Sequence, residues 1–255
     1  MHIVTRVSPS RRSIARIRND PGHPAPEAVP VPLPGGRVVA LRPLRRGERD
    51  TLLAVFDGMS SASRARRYLT GMVRLPSTVL EALIDVDGHR HVAWVASEHG
   101  QPVGIARLVL DAAGVADLAV EVVDAYHGLG IGSALVDAVT TVAGTREVRR
   151  VRASLTPDNE PSKRLVTRIG VRLRVVDGLL EGEGRLQLLH PPRIDRRAAL
   201  ALAARVADEQ RAAHSPARLH CASTMPQRPP QRLVTDSYPR EEAPCPPPTS
   251  ITPRS

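Results

Sequence analysis

Aromatic residues are scarce in this chain, where Phe, Trp and Tyr together make up 2% of 255 residues. A core must therefore be packed mainly with Val, Leu, Ile and Ala, and an apolar content of 42% is enough to build one. Proteins that bind single-stranded nucleic acid usually stack the bases on aromatic side chains. The composition therefore predicts a globular domain with an aliphatic core and disfavours that kind of binding.

Cysteine is nearly absent, and both cysteines, Cys221 and Cys245, lie in the last 35 residues. Such a pair is not the disulfide framework of a small secreted protein, and its spacing matches no metal site. Long apolar runs are also lacking, because residues 1–34 contain none of the length that a secretory signal or a membrane span requires. We therefore predict a cytoplasmic protein with no metal and no membrane partner.

Lysine occurs once, at Lys163, and arginine supplies the remaining side chains of a basic set that gives a net charge of +10. A basic balance of this size is typical of nucleic-acid binding. Much of the excess, however, lies in the arginine-rich N-terminal segment and in the tail beyond residue 190, both of which are predicted to be disordered at least in part. Nucleic acid is therefore not the partner that we expect.

Residues 122–135, with the sequence VVDAYHGLGIGSAL, have the pattern of a strand, a glycine turn and the start of a helix. Gly128, Gly130 and Gly132 allow a tight turn and a close approach of a ligand, and free N–H groups at a helix start attract phosphate. A dinucleotide fingerprint needs its third glycine further on, and a P-loop needs Gly-Lys-Ser/Thr. Ser133 follows Gly132 directly, so neither nucleotide motif is present. A plain connecting turn remains the alternative.

Residues 127–132, HGLGIG, resemble motif A of the GNAT N-acetyltransferases, with His127 where that motif has Gln or Arg. Residues 159–171, NEPSKRLVTRIGV, resemble motif B of the same family, and the spacing between the two motifs also fits. The resemblance covers about residues 37–190. Three further segments, 60–69, 92–95 and 104–107, are similar to the bacterial protein-lysine acetyltransferase branch of the family.

The resemblance and the hydrophobic pattern together predict an α/β fold, in the broad sense that includes α+β. We expect a single GNAT-like domain over residues 35–190, with a mixed, mostly antiparallel central sheet flanked by helices. Residues 1–34 are predicted as a disordered Arg/Pro-rich leader, 191–215 as a further alanine-rich helix, and 216–255 as a disordered Pro-rich tail. Strands are predicted at 37–41, 91–97, 102–110, 116–123, 149–155, 171–176 and 185–190, and helices at 46–56, 61–72, 77–85, 160–168 and from motif A to about 144.

The resemblance implies acetyl-CoA, or a related acyl-CoA, as the acyl donor and an amine, either a protein lysine or a small molecule, as the acceptor. The pyrophosphate is expected over the N–H groups of the glycine turn, and the pantetheine arm is expected to pair with the backbone of the preceding strand. The implied CoA-binding residues are Val122, Val123, His127, Gly128, Leu129, Gly130, Ile131, Gly132, Ser133 and Asn159. Asn159 is equally well explained as a helix N-cap before Glu160-Pro161, and His127 as an exposed side chain.

Transfer of an acetyl group to an amine needs an acceptor for the amine's proton, donors for the developing oxyanion and a proton for the leaving thiolate. Alternation along the strand puts Asp117 and Glu121 on one face, and these carboxylates are the candidate catalytic residues. The alternative is a solvated polar face of a half-exposed strand. Relatives commonly carry Glu at the position of Asp117.

Many relatives supply the thiolate's proton from a tyrosine at the position of Val166, which cannot donate one. Tyr126 is a candidate substitute, and packing at the end of its strand is the other explanation of that residue. The basic helix with Arg64, Arg66 and Arg67 is explained either by recognition of an acidic acceptor or by a solvated face. The resemblance therefore implies an N-acetyltransferase acting by direct attack in a ternary complex, and the alternative is a non-catalytic acyl-CoA-binding regulatory module.

Overall fold

The computed structural model describes residues 27–69, 72–146 and 148–213. The strands within these residues are β1 (Val29–Pro32), β2 (Val38–Pro43), β3 (His91–Glu98), β4 (Gln101–Leu110), β5 (Val115–Val122), β6 (Arg150–Leu155), β7 (Arg172–Val176) and β8 (Leu179–Arg185). The α-helices are α1 (Arg49–Asp57), α2 (Ser61–Tyr68), α3 (Ser77–Ile84), α4 (Ile131–Gly144), α5 (Glu160–Arg168) and α6 (Arg196–Ala213). None of the helices within these ranges has the length and apolarity needed to cross a bilayer.

All eight strands belong to one sheet, in the order β1-β2-β3-β4-β5-β6-β8-β7. Helices α4 and α6 pack on one face of this sheet, and α1 and α3 pack on the other. Trp94 and Val95 are neighbours on β3 but lie in different apolar clusters, because side chains alternate along a strand and both faces are covered. The predicted fold class, a mostly antiparallel sheet flanked by helices, is confirmed.

β5 and β6 are the two neighbouring strands of the sheet that run parallel. Parallel neighbours need a crossover connection, and α4 supplies it by packing back over β3 and β4. The two strands pair only from Val115 with Arg150 to Asp117 with Arg152, although β5 continues to Val122 and β6 to Leu155. Beyond that short ladder they separate, and the sheet has a wedge-shaped gap between them.

The N-terminal edge of the sheet corrects one part of the sequence prediction, because β1 lies inside the segment predicted as a disordered leader. β1 pairs with β2, and Val29 and Val31 are buried in the core on the α4 side. Pro30 and Pro32 alternate with these valines and are exposed, which suits a strand at the edge of the sheet that the described residues form. Residues 1–26 lie outside the described residues.

α6 lies within residues 191–215, where alanine richness predicts a helix, and it packs against α4 and β2. Ala199, Leu202 and Val206 of α6 are buried in the same cluster as β1. The Arg196 guanidinium also donates to the carboxylate of Asp137 on α4, a group with no exposed surface. The domain therefore extends past the predicted boundary at residue 190. The predicted tail, 216–255, lies outside the described residues.

The last strand along the described part of the chain is β8, Leu179–Arg185, and the prediction of a strand at 185–190 is wrong. The sequence EGEG at 181–184 has little strand propensity, because glycine weakens strands. The structure explains these glycines by the close approach of the backbone of β7 and the residues before it. A Cβ at Gly182 would lie 2.2 Å from the Arg172 carbonyl oxygen, and one at Gly184 would lie 1.7 Å from that of Gly170.

Candidate active site

The glycine turn between β5 and α4 leads into a helix whose first N–H groups have no side-chain cap among the described residues. Gly128 and Gly130 have φ angles of 76° and 90°, a left-handed conformation that glycine adopts without strain. Among the described residues no side chain caps α4, so the N–H groups of its first residues, 131–133, have no partner within the helix. A Cβ at Gly128 or Gly130 would meet nothing within 4 Å. Uncapped amides at a helix start attract anions, so the turn is suited to a phosphate group.

Two aliphatic side chains fix this turn on the domain while its backbone stays open. Ile131 is 1% exposed in the core on the α4 side, and Leu129 packs against the same core. The structure thus brings residues 128–133, which the sequence predicts as one CoA-binding group, into a single turn at the mouth of the wedge.

The edge of β5 that faces the wedge differs in detail from the prediction. The Val123 amide donates to the Val103 carbonyl oxygen on the β4 side, so this N–H is not available to a ligand between β5 and β6. Hydrogen-bonding direction alternates along a strand, so the backbone groups of Val120 and Val122 point toward the wedge. A ring nitrogen of the exposed His127 lies 2.8 Å from the Val122 carbonyl oxygen. Val122 therefore keeps a free N–H at the wedge, and His127 lies against the strand end.

Asn159 is the N-cap of α5, as one of its two sequence interpretations predicts. Its side-chain oxygen accepts a hydrogen bond of 3.2 Å from the Ser162 amide, and Pro161 is in the first turn, where its missing N–H is harmless. The cap uses the oxygen of the side-chain amide. The amino end of the same group can still donate to a ligand.

Glu121 lies at the centre of a buried polar cluster on the α1 side of the sheet. Its carboxylate is 3.2 Å from an Arg107 guanidinium nitrogen, 3.3 Å from Arg67 Nε and 3.0 Å from the Tyr68 hydroxyl, which donates to it. The side chains of Glu121 and Arg107 are 1% and 3% exposed. Burial of charges this deep needs partners, and here two cations and a phenol surround one carboxylate.

The same cluster fixes the protonation state of Tyr68. Burial, followed by the negative charge of Glu121, raises the pKa of the Tyr68 phenol above its ordinary value. The hydroxyl is therefore protonated at neutral pH and acts as a hydrogen-bond donor. Burial also lowers the pKa of Arg107, and the neighbouring Glu121 opposes that effect.

Asp117 has very different surroundings, although it lies on the same face of β5. It stands where the β5–β6 ladder ends, and both of its oxygens accept 2.7 Å hydrogen bonds from Arg152 of β6. These bonds raise the pKa of the Arg152 guanidinium above its ordinary value. The Asp117 side chain is 53% exposed, so water reaches it freely. The structure thus separates the two predicted carboxylates into one exposed and one buried group.

Helix α2 is anchored to the region around β5 at both of its ends. At its start, the Asp124 carboxylate accepts hydrogen bonds from the Ser60 amide, the Ser60 hydroxyl and the Ser63 hydroxyl, at 2.7, 2.9 and 2.7 Å. At its end, Arg67 and Tyr68 hold Glu121. The helix therefore has a fixed position beside the wedge.

A cleft of about 460 Å³ lies between α2, the end of β6 and the β7–β8 hairpin. Because α2 is anchored on β5 and Thr156 follows β6 directly, the cleft lies beside the open end of the wedge. Four of its lining residues are small or aliphatic, and three are polar or charged. The lining residues are Ala62, Ala65, Arg66, Leu69, Thr156, Asp158 and Leu179.

Comparison with known proteins shows what this part of the chain resembles. Residues 62–171 match the model of the acetyltransferase (GNAT) family. The chain is 33% identical over 147 residues to the acetyltransferase Pat of Mycolicibacterium smegmatis, a match that covers 56% of this chain and 44% of that protein. It is 29% identical over 143 residues to an acetyltransferase of Pseudomonas aeruginosa, covering 54% of this chain and 77% of that one. Residues 62–171 of this chain are therefore similar to the GNAT acetyltransferases.

A solved structure shows the same similarity at the level of the fold. The GNAT domain of PAT from S. lividans superposes with a TM-score of 0.58 at 24% identity, over 64% of this chain and 99% of that domain. The match to the Mycolicibacterium Pat spans less than half of that relative's length. The glycine turn and α5 lie inside the matched residues, whereas β1, β2 and α6 lie outside them.

At the position where the resemblance to the GNAT family implies a tyrosine, Val166 is buried in the core and has no proton to donate. Tyr126, the substitute that the sequence suggests, lies under the guanidinium of Arg37, 5.0 Å from ring centroid to Cζ. Tyr68 is the tyrosine whose hydroxyl lies beside a predicted catalytic carboxylate.

Sequence reasoning missed the partners of Glu121. One signal could have found Arg107, since it is a lone charge in the apolar run VGIARLVL of a central strand, and a buried arginine needs an acid nearby. No comparable signal identifies Tyr68, because its contact depends on how α2 crosses the sheet.

Proposed function

We propose that this chain transfers an acetyl group, or a related acyl group, from acyl-CoA to a primary amine by direct attack in a ternary complex. The observation that carries the proposal is the uncapped glycine turn at the mouth of the β5–β6 wedge, with a second cleft on the α2 side of the same opening. A donor and an acceptor can therefore approach one point from two directions. Similarity to the GNAT family supports acyl-CoA as the donor.

The donor is expected to bind along the turn and the wedge edge. The N–H groups of residues 129–133 face the pyrophosphate, and the backbone of Val120 and Val122 pairs with the pantetheine arm like an added strand. The Val122 carbonyl oxygen, already 2.8 Å from a His127 ring nitrogen, has a second lone pair with which it can accept from the pantetheine arm. The amino end of Asn159 is the remaining contact on the other side of the wedge.

The acceptor is expected in the cleft beside α2, where a straight aliphatic amine fits between small side chains. Ala62 and Ala65 leave room along the helix, and Leu69 and Leu179 offer aliphatic contacts. Clefts of a few hundred Å³ are typical of sites for small ligands and side chains. A protein lysine is the acceptor that we propose, in line with the similarity to the Pat proteins. A cytoplasmic location stays a prediction.

For the proton of the attacking amine we propose Asp117 as the acceptor, directly or through water. A proton acceptor must be reachable by the amine or by water, and Asp117 is half-exposed whereas the Glu121 side chain is 1% exposed between two arginines. We assign Glu121 a positioning role, since it holds the end of α2 and orients the Tyr68 hydroxyl. A thiol with an ordinary pKa near 8.5 is a tolerable leaving group, so a dedicated acid at Val166 is not essential.

A second candidate is a non-catalytic acyl-CoA-binding regulatory module. Three observations favour it, namely Val166 in place of the usual tyrosine, Asp117 engaged by Arg152 on both oxygens, and Glu121 fully partnered. Both candidates predict the same donor site. They differ only in turnover.

Turnover with labelled acetyl-CoA and a panel of small amines and lysine peptides separates the two. The expected result is release of CoA that depends on the amine, with the label found on its nitrogen. A Lys163→Arg variant serves as the background control, because Lys163 is the only lysine of the chain and self-acetylation on lysine is then impossible. Binding of acetyl-CoA with no amine-dependent release from any acceptor contradicts the enzyme and leaves the binding module.

A further inference from the structure

One ion pair joins the two banks of the acceptor cleft. Arg66 on α2 donates from Nε to Asp158 Oδ2 at 2.9 Å, and a second guanidinium nitrogen lies 2.8 Å from the same oxygen. Asp158 belongs to the loop between β6 and α5, directly before the N-cap of α5. The pair therefore joins two lining residues of the cleft whose other lining residues are Ala62, Ala65, Leu69, Thr156 and Leu179.

This ion pair is not what holds the cleft together. α2 is already fixed at its start by Asp124 and at its end by Glu121. The side chains of Arg66 and Asp158 are 44% and 59% exposed, and an ion pair of that exposure contributes little to stability. Arg66 can therefore exchange its partner without moving the helix. The guanidinium fork suits any carboxylate that enters the cleft.

Asp158 is also held from its own side of the cleft. The Thr156 hydroxyl donates to Asp158 Oδ1, and this bond, followed by that from Arg66, lowers the pKa of the Asp158 carboxyl from its ordinary value. The carboxylate thus keeps one partner when Arg66 leaves. An anionic group on the amine substrate therefore competes with Asp158 for the guanidinium of Arg66.

We infer that Arg66 is the residue that recognises an acidic group next to the acceptor amine, and that Asp158 occupies Arg66 as an internal competitor until that group arrives. The substrate class is then a lysine in an acidic segment of a protein. This inference rests on the proposed function for the location of the acceptor. The excess of positive charge on the chain, +10 in total, favours the same class of partner over long distances.

The test compares matched peptides bound to the full chain saturated with coenzyme A, by fluorescence anisotropy. Every peptide contains one lysine. The two peptides of a pair differ at a single position near that lysine, where one has glutamate and the other has glutamine. Four pairs cover the two positions before the lysine and the two positions after it. We expect the wild-type chain to bind at least one glutamate peptide about threefold to tenfold more tightly than its glutamine partner, a range of about 0.7–1.4 kcal/mol. Added salt should reduce that preference.

Two substitutions shift the preference in opposite directions. Arg66→Gln should remove the preference for the glutamate peptide. Asp158→Asn should increase that preference, because residue 158 then has no charge to compete for Arg66, while its amide oxygen can still accept from Thr156. Arg197→Gln and Asp208→Asn on α6 are the matched controls for net charge, since both residues are exposed on a helix that packs against α4 and β2. Neither control should change the ratio.

The outcomes separate this inference from the proposed function. A preference that persists in Arg66→Gln, that narrows in Asp158→Asn, or that is absent from the wild-type chain overturns the inference even when lysine peptides are acetylated. A preference that follows Arg66 and Asp158 supports it even when no peptide is acetylated, in which case the proposed enzyme fails and the recognition site stands. Failure of every peptide to bind contradicts the inference.

Discussion

At the scale of single residues, Asp117 and Glu121 lie on one face of β5 but in such different surroundings that they should respond differently to the same kind of change. Asp117→Asn should lower turnover about 10²-fold, the usual scale for a general base, and leave acetyl-CoA affinity and the melting temperature unchanged. The loss of turnover should shrink as the pH rises, because the substrate amine is already neutral above its own pKa and needs less help from a base. Rate measurements from pH 7 to 10 with one amine check this.

Glu121→Gln provides the contrast. It leaves Arg107 and Arg67 without a charged partner in a buried site, and loss of one member of a buried ion pair costs about 3–5 kcal/mol of folding stability. We therefore expect a lower melting temperature, with a fall in activity that follows the loss of folded protein. A folded Glu121→Gln chain without turnover, beside an active Asp117→Asn chain, would transfer the role of proton acceptor to Glu121.

His91 gives a prediction for the pH dependence of stability. It is buried at the start of β3, one ring nitrogen lies 3.2 Å from the Asp85 carbonyl oxygen, and burial followed by the charge of Arg107 lowers its pKa to about 4. A histidine in the unfolded chain has a pKa near 6.5. Above that pH the imidazole is neutral in both states, and burying it does not reduce the free energy of unfolding. Between pH 6.5 and 4 the unfolded chain takes up a proton that the folded chain does not, and stability falls.

Chemical unfolding at pH 7 and pH 5 measures this effect. His91→Gln should reduce the loss of unfolding free energy between the two pH values, and His89→Gln, at an exposed position nearby, should leave it as in the wild-type chain. An equal loss in His91→Gln and wild type contradicts a neutral buried imidazole.

At the scale of elements, the glycine turn and α4 form one unit whose backbone geometry determines donor binding. Gly130→Glu places a carboxylate where the phosphates are expected and should weaken acetyl-CoA binding at least tenfold by calorimetry. Gly130→Ala is the control, since the left-handed φ of 90° strains any side chain by about 1–2 kcal/mol but alanine adds no charge. If both variants bind as the wild-type chain does, the turn is not the anion site.

The same scale shows what sequence could predict. Helix α5 and the strands from β3 to β6 follow hydrophobic periods closely enough that their positions are predicted to within about two residues. The position of β8 does not follow from the sequence pattern. Its glycines allow close contact with the neighbouring backbone, and a local pattern does not reveal such a contact. The partners of Glu121 and Asp117 depend on which strands and helices become neighbours, so the sequence identifies the carboxylates but not their states.

At the scale of the whole molecule, the domain is closed by elements from both sides of the family's matched region. β1 covers the edge of β2, and α6 covers α4 and β2, so apolar side chains from near both ends of the described chain meet in one cluster. The sequence pattern alone places the boundaries at 35 and 190, because two prolines follow His190 and three precede Gly35. Tertiary packing overrides both signals.

Single substitutions at the start of α6 test this docking before any residue is removed. Arg196→Ala leaves the carboxylate of Asp137, which has no exposed surface, without its ionic partner, and should lower the free energy of unfolding by about 3–5 kcal/mol. Arg197→Ala, at the next and exposed position, should change it by no more than about 0.5 kcal/mol. Equal stabilities of the two variants would show that α6 does not dock through Arg196.

Two shortened chains test the whole-domain boundary. A chain of residues 27–213 should melt close to the full-length protein, because it keeps β1 and all of α6. A chain of residues 35–190 loses Val29, Val31 and the buried face of α6, exposes the core beneath them and leaves Asp137 unpaired. We expect its melting temperature to fall by at least about 10 °C. The shorter chain loses several kcal/mol of unfolding free energy, and each kcal/mol lowers the melting temperature of a domain of this size by about 2–4 °C. Circular dichroism melts of the three chains decide the matter: if 35–190 melts with the full-length chain, β1 and α6 are dispensable additions and the domain ends where the proline signals place it.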